Sequence, residues 1–273
     1  MSWLLSTRRR VVQALSLVLL NSNFWGMGTE SVCLPIMNCE ACAIAWLGCP
    51  IGMIGSNLAF REWPLLVLGM TLVVGALVGR FLCGWVCPMG FLQDLIYKIP
   101  SLKFRLPRWA TWIKYGFLVG TVFVLGFFFG KEPDVSPFFF CNFCPTAAIQ
   151  VVLPDMIAYQ DYALTFGRSL RLGVLVAVLL ISLGVHRGFC KVMCPVGALI
   201  AIANRFSFLS LRLNKSACVS CSKCDKSCPM DVPVMSSPEK GRAVNRDSEC
   251  IECLTCQQSC PTAAITTNSR VLK

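Results

Sequence analysis

Residues 218–261 contain two copies of one cysteine run, and this repeat constrains the fold more than any other feature. Each run reads Cys-x-x-Cys-x-x-Cys-x-x-x-Cys-Pro, and the second begins 32 residues after the first. This spacing binds two 4Fe-4S clusters, and the fourth cysteine of each run ligates the other cluster. One cluster is therefore predicted to bind Cys218, Cys221, Cys224 and Cys260. The other is predicted to bind Cys250, Cys253, Cys256 and Cys228.

Zinc sites and disulfides are the alternatives for these eight cysteines. A tetrahedral zinc site binds two Cys-x-x-Cys pairs. Zinc would not explain the third cysteine at the same short spacing in each run or the repeated Cys-Pro step. Two identical runs are also unlike a framework of disulfides. Residues 211–273 are accordingly predicted to form a small α+β domain of the bacterial two-cluster ferredoxin type.

The rest of the chain has the composition of a membrane protein. Of its 273 residues, 55% are hydrophobic and only 14% are charged, and the mean hydropathy is +0.64. Four apolar segments approach the ~20 residues that cross a bilayer core. They lie at 11–28, 64–82, 109–129 and 170–185.

Basic residues cluster beside these segments, which accounts for the net charge of +11 without a nucleic-acid partner. Because lysine and arginine stay on the cytoplasmic side, the pattern predicts a multi-pass protein of a prokaryotic inner membrane, with both termini and the ferredoxin domain in the cytoplasm. The chain has a single histidine, His186. It therefore cannot hold a bis-histidine haem by itself, so electrons would move through iron and sulfur.

The membrane part repeats itself. Two cysteine pairs in the loops predicted to lie outside recur with an offset of 102 residues: Cys39 and Cys42, then Cys141 and Cys144. Two Cys-x-x-x-Cys-Pro motifs at the inner ends recur with an offset of 107: Cys83 and Cys87, then Cys190 and Cys194. The predicted fold is thus mainly α. Its four transmembrane helices form two tandem hairpins, at 1–100 and 101–210, and the ferredoxin domain follows at 211–273.

Each set of four thiols matches the ligand count of one 4Fe-4S cluster. The inner set predicts a third cluster and the outer set a possible fourth. Cys33 and Cys49 are left over on the outer side: they are further candidate ligands, they could form a disulfide, or Cys49 could replace a member of the outer set. Two clusters a full membrane thickness apart are too distant for one efficient hop, so they would lie deeper than the loops indicate, or a quinone or a partner haem would bridge them.

These motifs together resemble the NapH family of membrane-bound ferredoxin-type quinol dehydrogenase subunits. The resemblance rests on Cys83-Gly-Trp-Val-Cys87-Pro, on Cys190-Lys-Val-Met-Cys194-Pro-Val-Gly-Ala-Leu and on the two ferredoxin runs. It implies electron exchange with the quinone pool. The six outer cysteines are not part of that family's motif, which separates this chain from a specific role in nitrate reduction.

Quinone chemistry couples electrons to protons, and two titratable residues near the inner motifs are candidates for that step. His186 precedes Cys190 by four residues, and Asp94 follows Cys87 by seven. The expected function is an electron-transfer subunit between the quinone pool and a partner oxidoreductase, without a terminal catalytic site of its own. The alternative is a membrane polyferredoxin that serves the assembly or reductive maturation of a metalloenzyme.

Overall fold

The computed structural model describes residues 2–22, 33–42, 45, 47–129, 138–160, 162–163, 165–207, 209–236 and 243–269. The membrane part is helical. Its helices are α1 (Ser2–Leu20), α2 (Pro50–Ala59), α3 (Leu65–Val78), α4 (Phe81–Trp85), α5 (Pro88–Ile96), α6 (Arg108–Phe129), α7 (Pro145–Ala147, continued by Ala148–Val152 and Leu153–Tyr159), α8 (Phe166–Gly184), α9 (Gly188–Val192) and α10 (Pro195–Ala203).

Two helices in the described part of the chain, α6 and α8, are long and apolar enough to cross a membrane. Both present large apolar side chains on their surface: Phe128 is 72% exposed on α6, and Leu180 is 62% exposed on α8. Exposed apolar faces of this kind are typical of contact with lipid or another protein. These two helices correspond to the third and fourth crossings predicted from the sequence.

The predicted crossing at 64–82 is not one continuous helix. Helix α3 has 14 residues, a rise of about 21 Å at 1.5 Å per residue, and it ends at Gly79. This glycine has a φ of +62°, and a Cβ there would lie 2.5 Å from the side-chain oxygen of Asn204. The positive φ stops the helix, and α4 follows in a new direction. Of the predicted crossing at 11–28, residues 23–28 lie outside the described residues.

Four helices begin at a Cys-Pro step. The cysteine is the N-cap residue in extended conformation, and proline takes the first helical position, where its missing N–H costs nothing. These steps are Cys49-Pro50, Cys87-Pro88, Cys144-Pro145 and Cys194-Pro195. The sequence repeat thus places four thiols at four helix starts inside the bundle.

Residues 33–42, predicted to be an outer loop, are folded into the helix bundle. Ile36, Met37 and Asn38 are at most 3% exposed. The Asn38 side chain donates to the carbonyl of Leu47 at 3.0 Å and accepts from Gln150 Nε2 at 2.7 Å. These bonds satisfy the buried polar groups of a non-helical segment, so the cysteine-bearing loop lies deeper than the hydropathy pattern indicated.

The C-terminal domain contains an antiparallel pair of strands, β1 (Leu209–Leu213) and β2 (Ile265–Ser269), and the short helices α11 (Lys223–Lys226) and α12 (Thr255–Ser259). Leu209 pairs with Ser269 at one end of the ladder, and Leu213 pairs with Ile265 at the other. The strands join the first and last residues of the domain, so the two cysteine runs are held between them.

This domain is attached to the membrane helices by buried polar contacts. Glu249 accepts hydrogen bonds from Arg80 and Lys114, at 3.3 and 2.5 Å, and Trp85 Nε1 donates to the carbonyl of Glu252 at 3.1 Å. Gly84 makes a close backbone contact, since a Cβ there would lie 2.3 Å from the Ile251 carbonyl oxygen. The contacts fix the ferredoxin domain against the inner ends of α3, α4 and α6.

Candidate metal centres

The ferredoxin cysteines surround two cavities in the crossed arrangement. One cavity is lined by Cys218, Cys221, Cys224 and Cys260. The other is lined by Cys250, Cys253, Cys256 and Cys228. In each set, three members come from one run and the fourth from the other run. The fold therefore brings together the same two quartets that the doubled motif predicts.

The four cysteines of the inner motifs line a third cavity, called the inner cavity below: Cys83, Cys87, Cys190 and Cys194. Hydrogen-bond donors point at these sulfur atoms from both repeats. Gln93 Nε2 donates to Cys190 Sγ at 3.2 Å, and the backbone amide of Gly197 donates to Cys194 Sγ at 3.3 Å. Donors of this kind stabilise the negative charge on thiolate ligands.

The inner cavity suits a cationic group with thiolate ligands. Burial raises the pKa of Cys87 to about 12 and that of Cys194 well above its usual value, so these thiols do not ionise readily by themselves. Bound iron offsets that cost because it stabilises thiolate directly. Across the described ranges, no three Cys, His, Asp or Glu side chains converge closely enough to hold a single ion. Four thiols that surround the inner cavity without meeting at one point fit a 4Fe-4S cluster better than a single zinc ion.

Two buried arginines flank the inner cavity. Arg80 and Arg187 are 1% and 0% exposed, and each precedes a cysteine of the inner motifs by three residues. Arg187 donates to the carbonyl of Cys83 at 2.8 Å and to both oxygens of Asp94, at 2.8 and 2.7 Å. Sequence reasoning missed this pair, although the offset of 107 residues relates the two arginines as it relates the cysteines.

The fourth cavity, called the outer cavity below, brings together Cys39, Cys49, Cys141 and Cys144. Cys42 is buried and does not line it, so the structure assembles the quartet in which Cys49 takes the place of Cys42. Cys33 lies elsewhere, with its thiol against Thr71. Cys33 and Cys49 are both free thiols, and the alternative of a disulfide between them is not realised. The Cys49-Pro50 step was the signal for this choice, because Cys42 has no such step.

The outer, inner and ferredoxin cavities form a connected row. Met37 lines both the outer and the inner cavity, and Ile251 lines both the inner cavity and the nearer ferredoxin cavity. Each pair of neighbours along this part of the row therefore has one lining residue in common. The folded segment that carries Met37 thus gives the outer and inner cavities a common lining residue.

The two candidates for quinone chemistry, His186 and Asp94, line one pocket beside α12 of the ferredoxin domain. His186 Nε2 lies 3.1 Å from Asp94 Oδ1, and its ring stacks on Tyr97 at 4.2 Å between centroids. Burial opposes the charge of Asp94, but Arg187, His186 and Arg9 together hold the pKa of its carboxyl well below the usual value. Asp94 consequently stays ionised and organises the cations around it.

Comparison with known proteins agrees with the inner and ferredoxin centres, whereas the four cysteines of the outer cavity lie outside the matched residues. The family described as 4Fe-4S binding domain matches residues 60–107 and 167–216, which contain the inner cysteines. The family described as 4Fe-4S dicluster domain matches residues 217–265. No solved structure matches the chain significantly.

Several curated proteins are similar over most of the chain. The putative electron transport protein YccM of Escherichia coli is 31% identical over 179 residues, 62% of this chain and 47% of its own length. The methylamine utilization ferredoxin-type protein MauN of Paracoccus denitrificans is 27% identical over 189 residues, 63% and 58% of the two chains. The ferredoxin-type protein NapH of Haemophilus influenzae is 26% identical over 196 residues, 68% and 61% of the two chains.

The matched region spans about half to two thirds of the length of the first curated relatives. Within this region, the two cluster-binding families cover both inner motifs and the whole doubled cysteine run. The chain is therefore a polyferredoxin that joins a 4Fe-4S binding domain to a 4Fe-4S dicluster domain, and it is distantly homologous to the ferredoxin-type proteins NapH and MauN and to the putative electron transport protein YccM.

Proposed function

We propose that this protein relays electrons between the quinone pool and a partner oxidoreductase through four 4Fe-4S clusters. The ligands are the two ferredoxin quartets, the inner quartet and the outer quartet of Cys39, Cys49, Cys141 and Cys144. A cluster supplies one-electron redox chemistry when it is bound. The residues of this chain hold the thiols, exclude water from them and fix their separations.

The observation that carries the proposal is the pair of shared residues in the row of cavities. Met37 borders the outer and inner cavities, and Ile251 borders the inner cavity and a ferredoxin cavity. Electron transfer requires short separations between redox centres, and cavities that share a lining residue are neighbours in the fold. Neither contact would be needed in a membrane anchor that merely carried a ferredoxin.

The partner would meet the relay at the ferredoxin end. Cys221 is exposed, whereas the cysteines of the nearer ferredoxin cavity are mostly buried. Electrons would leave or enter through the quartet that includes Cys221. With the basic flanks of the helices on the inside, this end lies in the cytoplasm of a multi-pass inner-membrane protein.

His186 and Asp94 contribute to this function at the inner cavity. Asp94 accepts from Arg187, which lines the cavity and also bonds the carbonyl of Cys83. His186 stands on the other side of the carboxylate, in the pocket that faces α12. The proposed role of the pair is to hold Arg187 in place beside the inner cavity, because the Asp94 carboxylate contacts both His186 and Arg187.

Reduction of the purified clusters by a short-chain menaquinol tests the proposed function. The full chain should hold about sixteen iron atoms at four per cluster, and quinol should reduce its clusters. The double variant Cys83→Ser and Cys190→Ser should lose one cluster, keep the ferredoxin pair and lose quinol-dependent reduction of that pair. Cys33→Ser is the matched control, because Cys33 lines none of the four cavities.

The same assay separates the alternative role in the maturation of a metalloenzyme. A maturation factor that takes its electrons from a soluble donor would be reduced at the ferredoxin end and would be inert to quinol. Full iron content together with no reduction by any quinol would contradict the proposed function.

A further inference from the structure

We infer that the outer cavity binds a quinone ring beside the quartet of Cys39, Cys49, Cys141 and Cys144, and that it is the quinone-reactive end of the relay. The inference rests on the proposed function and assigns its substrate site. The argument uses the size of the cavity, its lining and its place in the row.

The outer cavity is much larger than the other three that cysteines line. The two ferredoxin cavities and the inner cavity contain 330, 290 and 350 Å³ of space free of protein atoms. The outer cavity contains 1210 Å³, including its opening. Three of the cavities have nearly the same size, so one kind of occupant, a 4Fe-4S cluster, fits all three. The fourth cavity has the same number of thiols and more space, part of which is open to solvent, so it has room for a further molecule beside a cluster.

The additional space has the character of a small-molecule site. Such sites are mainly apolar, carry a few polar groups and measure roughly 300–1,000 Å³; the outer cavity has about 420 Å³ accessible to water-sized spheres. Phe60, Phe140 and Val151 supply apolar surface, and Arg171 and Asn142 supply polar atoms. A quinone ring has the same combination, with a flat apolar face and two carbonyl oxygens that accept hydrogen bonds.

Arg171 is held in place as a donor at this cavity. It extends from α8 and donates to the backbone carbonyl of Asn142 at 3.3 Å and to its side-chain oxygen at 3.1 Å. Asn142 lies between two cysteines of the quartet, Cys141 and Cys144. A ring carbonyl near Arg171 would thus be close to the thiols as well, which is what electron transfer from ring to cluster requires.

Two exposed residues at the end of α2 border the cavity. Phe60 lines the cavity and is 81% exposed, and Ala59 beside it is exposed. Both lie at the end of α2, next to Arg61 and the start of α3. A lipid-soluble ring with an isoprenoid tail could enter here from the bilayer and leave its tail outside.

The outer cavity also stands at the end of the row. On the inner side it shares Met37 with the next cavity, and the ferredoxin quartets continue from there. In the direction of quinol oxidation, one quinol would give two electrons, one at a time, to a cluster held by the outer quartet and would release two protons to water at the opening. The electrons pass to the partner oxidoreductase, and the product is quinone. Quinone reduction is the reverse of these steps.

The pocket of His186 and Asp94 is less suited to the ring itself. Its lining includes Arg9, Arg10 and Lys98, and Asp94 already accepts from Arg9, Gln13 and Arg187. This concentration of charge favours water and ions over an apolar ring. The pocket serves as the natural competing location in an experiment.

Equilibrium binding of a short-chain menaquinone to the purified full chain tests the inference, together with photolabelling by an azido derivative of the same quinone. Ala59→Trp places a large ring at the opening of the outer cavity, and Val151→Trp fills its wall. Leu95→Trp is the matched control, because Leu95 is also exposed and lines the His186 pocket. Iron analysis of each variant shows whether all clusters are retained. Either Ala59→Trp or Val151→Trp is enough to test the inference if it keeps its iron.

We expect Ala59→Trp or Val151→Trp, with full iron content, to weaken menaquinone binding about tenfold or more, and Leu95→Trp to leave it unchanged. Photolabel should appear in residues 50–60 or 138–152. Loss of binding in Leu95→Trp alone, with label near Tyr97 or His186, would overturn the inference and leave the proposed function intact. Absence of menaquinone binding in the unaltered chain would overturn both.

Discussion

The guanidinium of Arg187 lies against Gly90, 3.2 Å from the position that a Cβ on this glycine would occupy. The other repeat makes the same contact in the opposite direction, with Arg80 at 3.0 Å from a Cβ on Gly197. Each glycine follows a Cys-Pro step by two residues. The two halves of the membrane part therefore exchange arginines across the inner cavity, and each arginine fits only because the facing helix start has no side chain there.

The first prediction concerns the charge of this pair. A 4Fe-4S cluster with four thiolates is anionic, and reduction adds another negative charge, so a buried cation favours the reduced state. We expect Arg187→Gln to lower the midpoint potential of the inner cluster. At an effective dielectric constant of about 20 and a separation of roughly 8 Å, the loss is ~2 kcal/mol, or about 90 mV for one electron. Redox titration followed by electron paramagnetic resonance measures it.

Arg187→Lys is the control for this change, since it keeps the positive charge while it alters the hydrogen bonds to Asp94 and Cys83. Its potential should stay near that of the unaltered protein. An unchanged potential in Arg187→Gln, with the inner cluster still present, would show that the arginine serves packing and not the redox properties of the cluster.

The second prediction concerns the contact between the membrane helices and the ferredoxin domain. A Cβ on Gly84 would lie 2.3 Å from the backbone oxygen of Ile251, and backbone cannot move aside as a flexible side chain does. We expect Gly84→Ala to push the domain away and to slow electron transfer from the inner cluster to the ferredoxin clusters. Rapid-mixing kinetics with quinol as the donor would detect the change, while dithionite should still reduce every cluster.

Gly69→Ala is a matched control, because a Cβ on Gly69 meets nothing within 4 Å. Alanine in the middle of α3 should leave electron transfer unchanged and slightly stabilise the helix, by about 1 kcal/mol. Equal rates for Gly84→Ala and Gly69→Ala would mean that the close contact does not set the separation of the clusters.

Much of the candidate site could be predicted because thiol ligands leave a regular trace in a sequence. The doubled run and the two inner motifs gave quartets that the fold assembles around three cavities. Spacing alone was sufficient there, since each quartet joins identical motifs. The membrane helices were predicted less well, because hydropathy measures apolar length and does not register the left-handed turn at Gly79 that ends α3.

The outer quartet could not be derived from pair spacing. The equal offset of two Cys-x-x-Cys pairs favoured Cys42 and left Cys49 as an alternative, and the residues that line the outer cavity include Cys49, which starts α2 as Cys144 starts α7. Hydropathy also placed residues 33–42 outside the membrane part. Their burial depends on Gln150, a residue of the other repeat that bonds both Asn38 and the amide of Cys39. Such a long-range polar contact has no local signature in a sequence.

The third prediction concerns Glu249, which neutralises two buried cations from different membrane helices. Arg80 and Lys114 are 1% and 0% exposed, and both bond this carboxylate. Removal of one partner from a buried ion pair typically costs about 3–5 kcal/mol, because it leaves a buried charge without a partner. We expect Glu249→Gln to lower the thermal stability of the protein and to expose the ferredoxin domain to proteolysis.

Asp247 offers a control for Glu249. It pairs with Arg108 at 2.6 Å, but the arginine side chain is 55% exposed, and exposed pairs contribute only about 0–1 kcal/mol. Asp247→Asn should therefore change stability little. A similar loss in both variants would contradict the view that burial gives Glu249 its importance.

The last prediction separates the ligands of the outer cluster from the other outer cysteines. Cys49→Ser removes a thiol from the outer cavity, so iron should fall from about sixteen to about twelve atoms per chain, with labile sulfide falling in parallel. Cys42→Ser should retain all of the iron, because Cys42 is not among the residues that line that cavity. The two variants carry the same substitution at different positions. The redox signals of the inner and ferredoxin clusters should therefore be the same in both. If Cys42→Ser lost a cluster and Cys49→Ser did not, the quartet predicted from the offset of 102 residues would be the correct one, and the arrangement around Met37 would not describe the loaded protein.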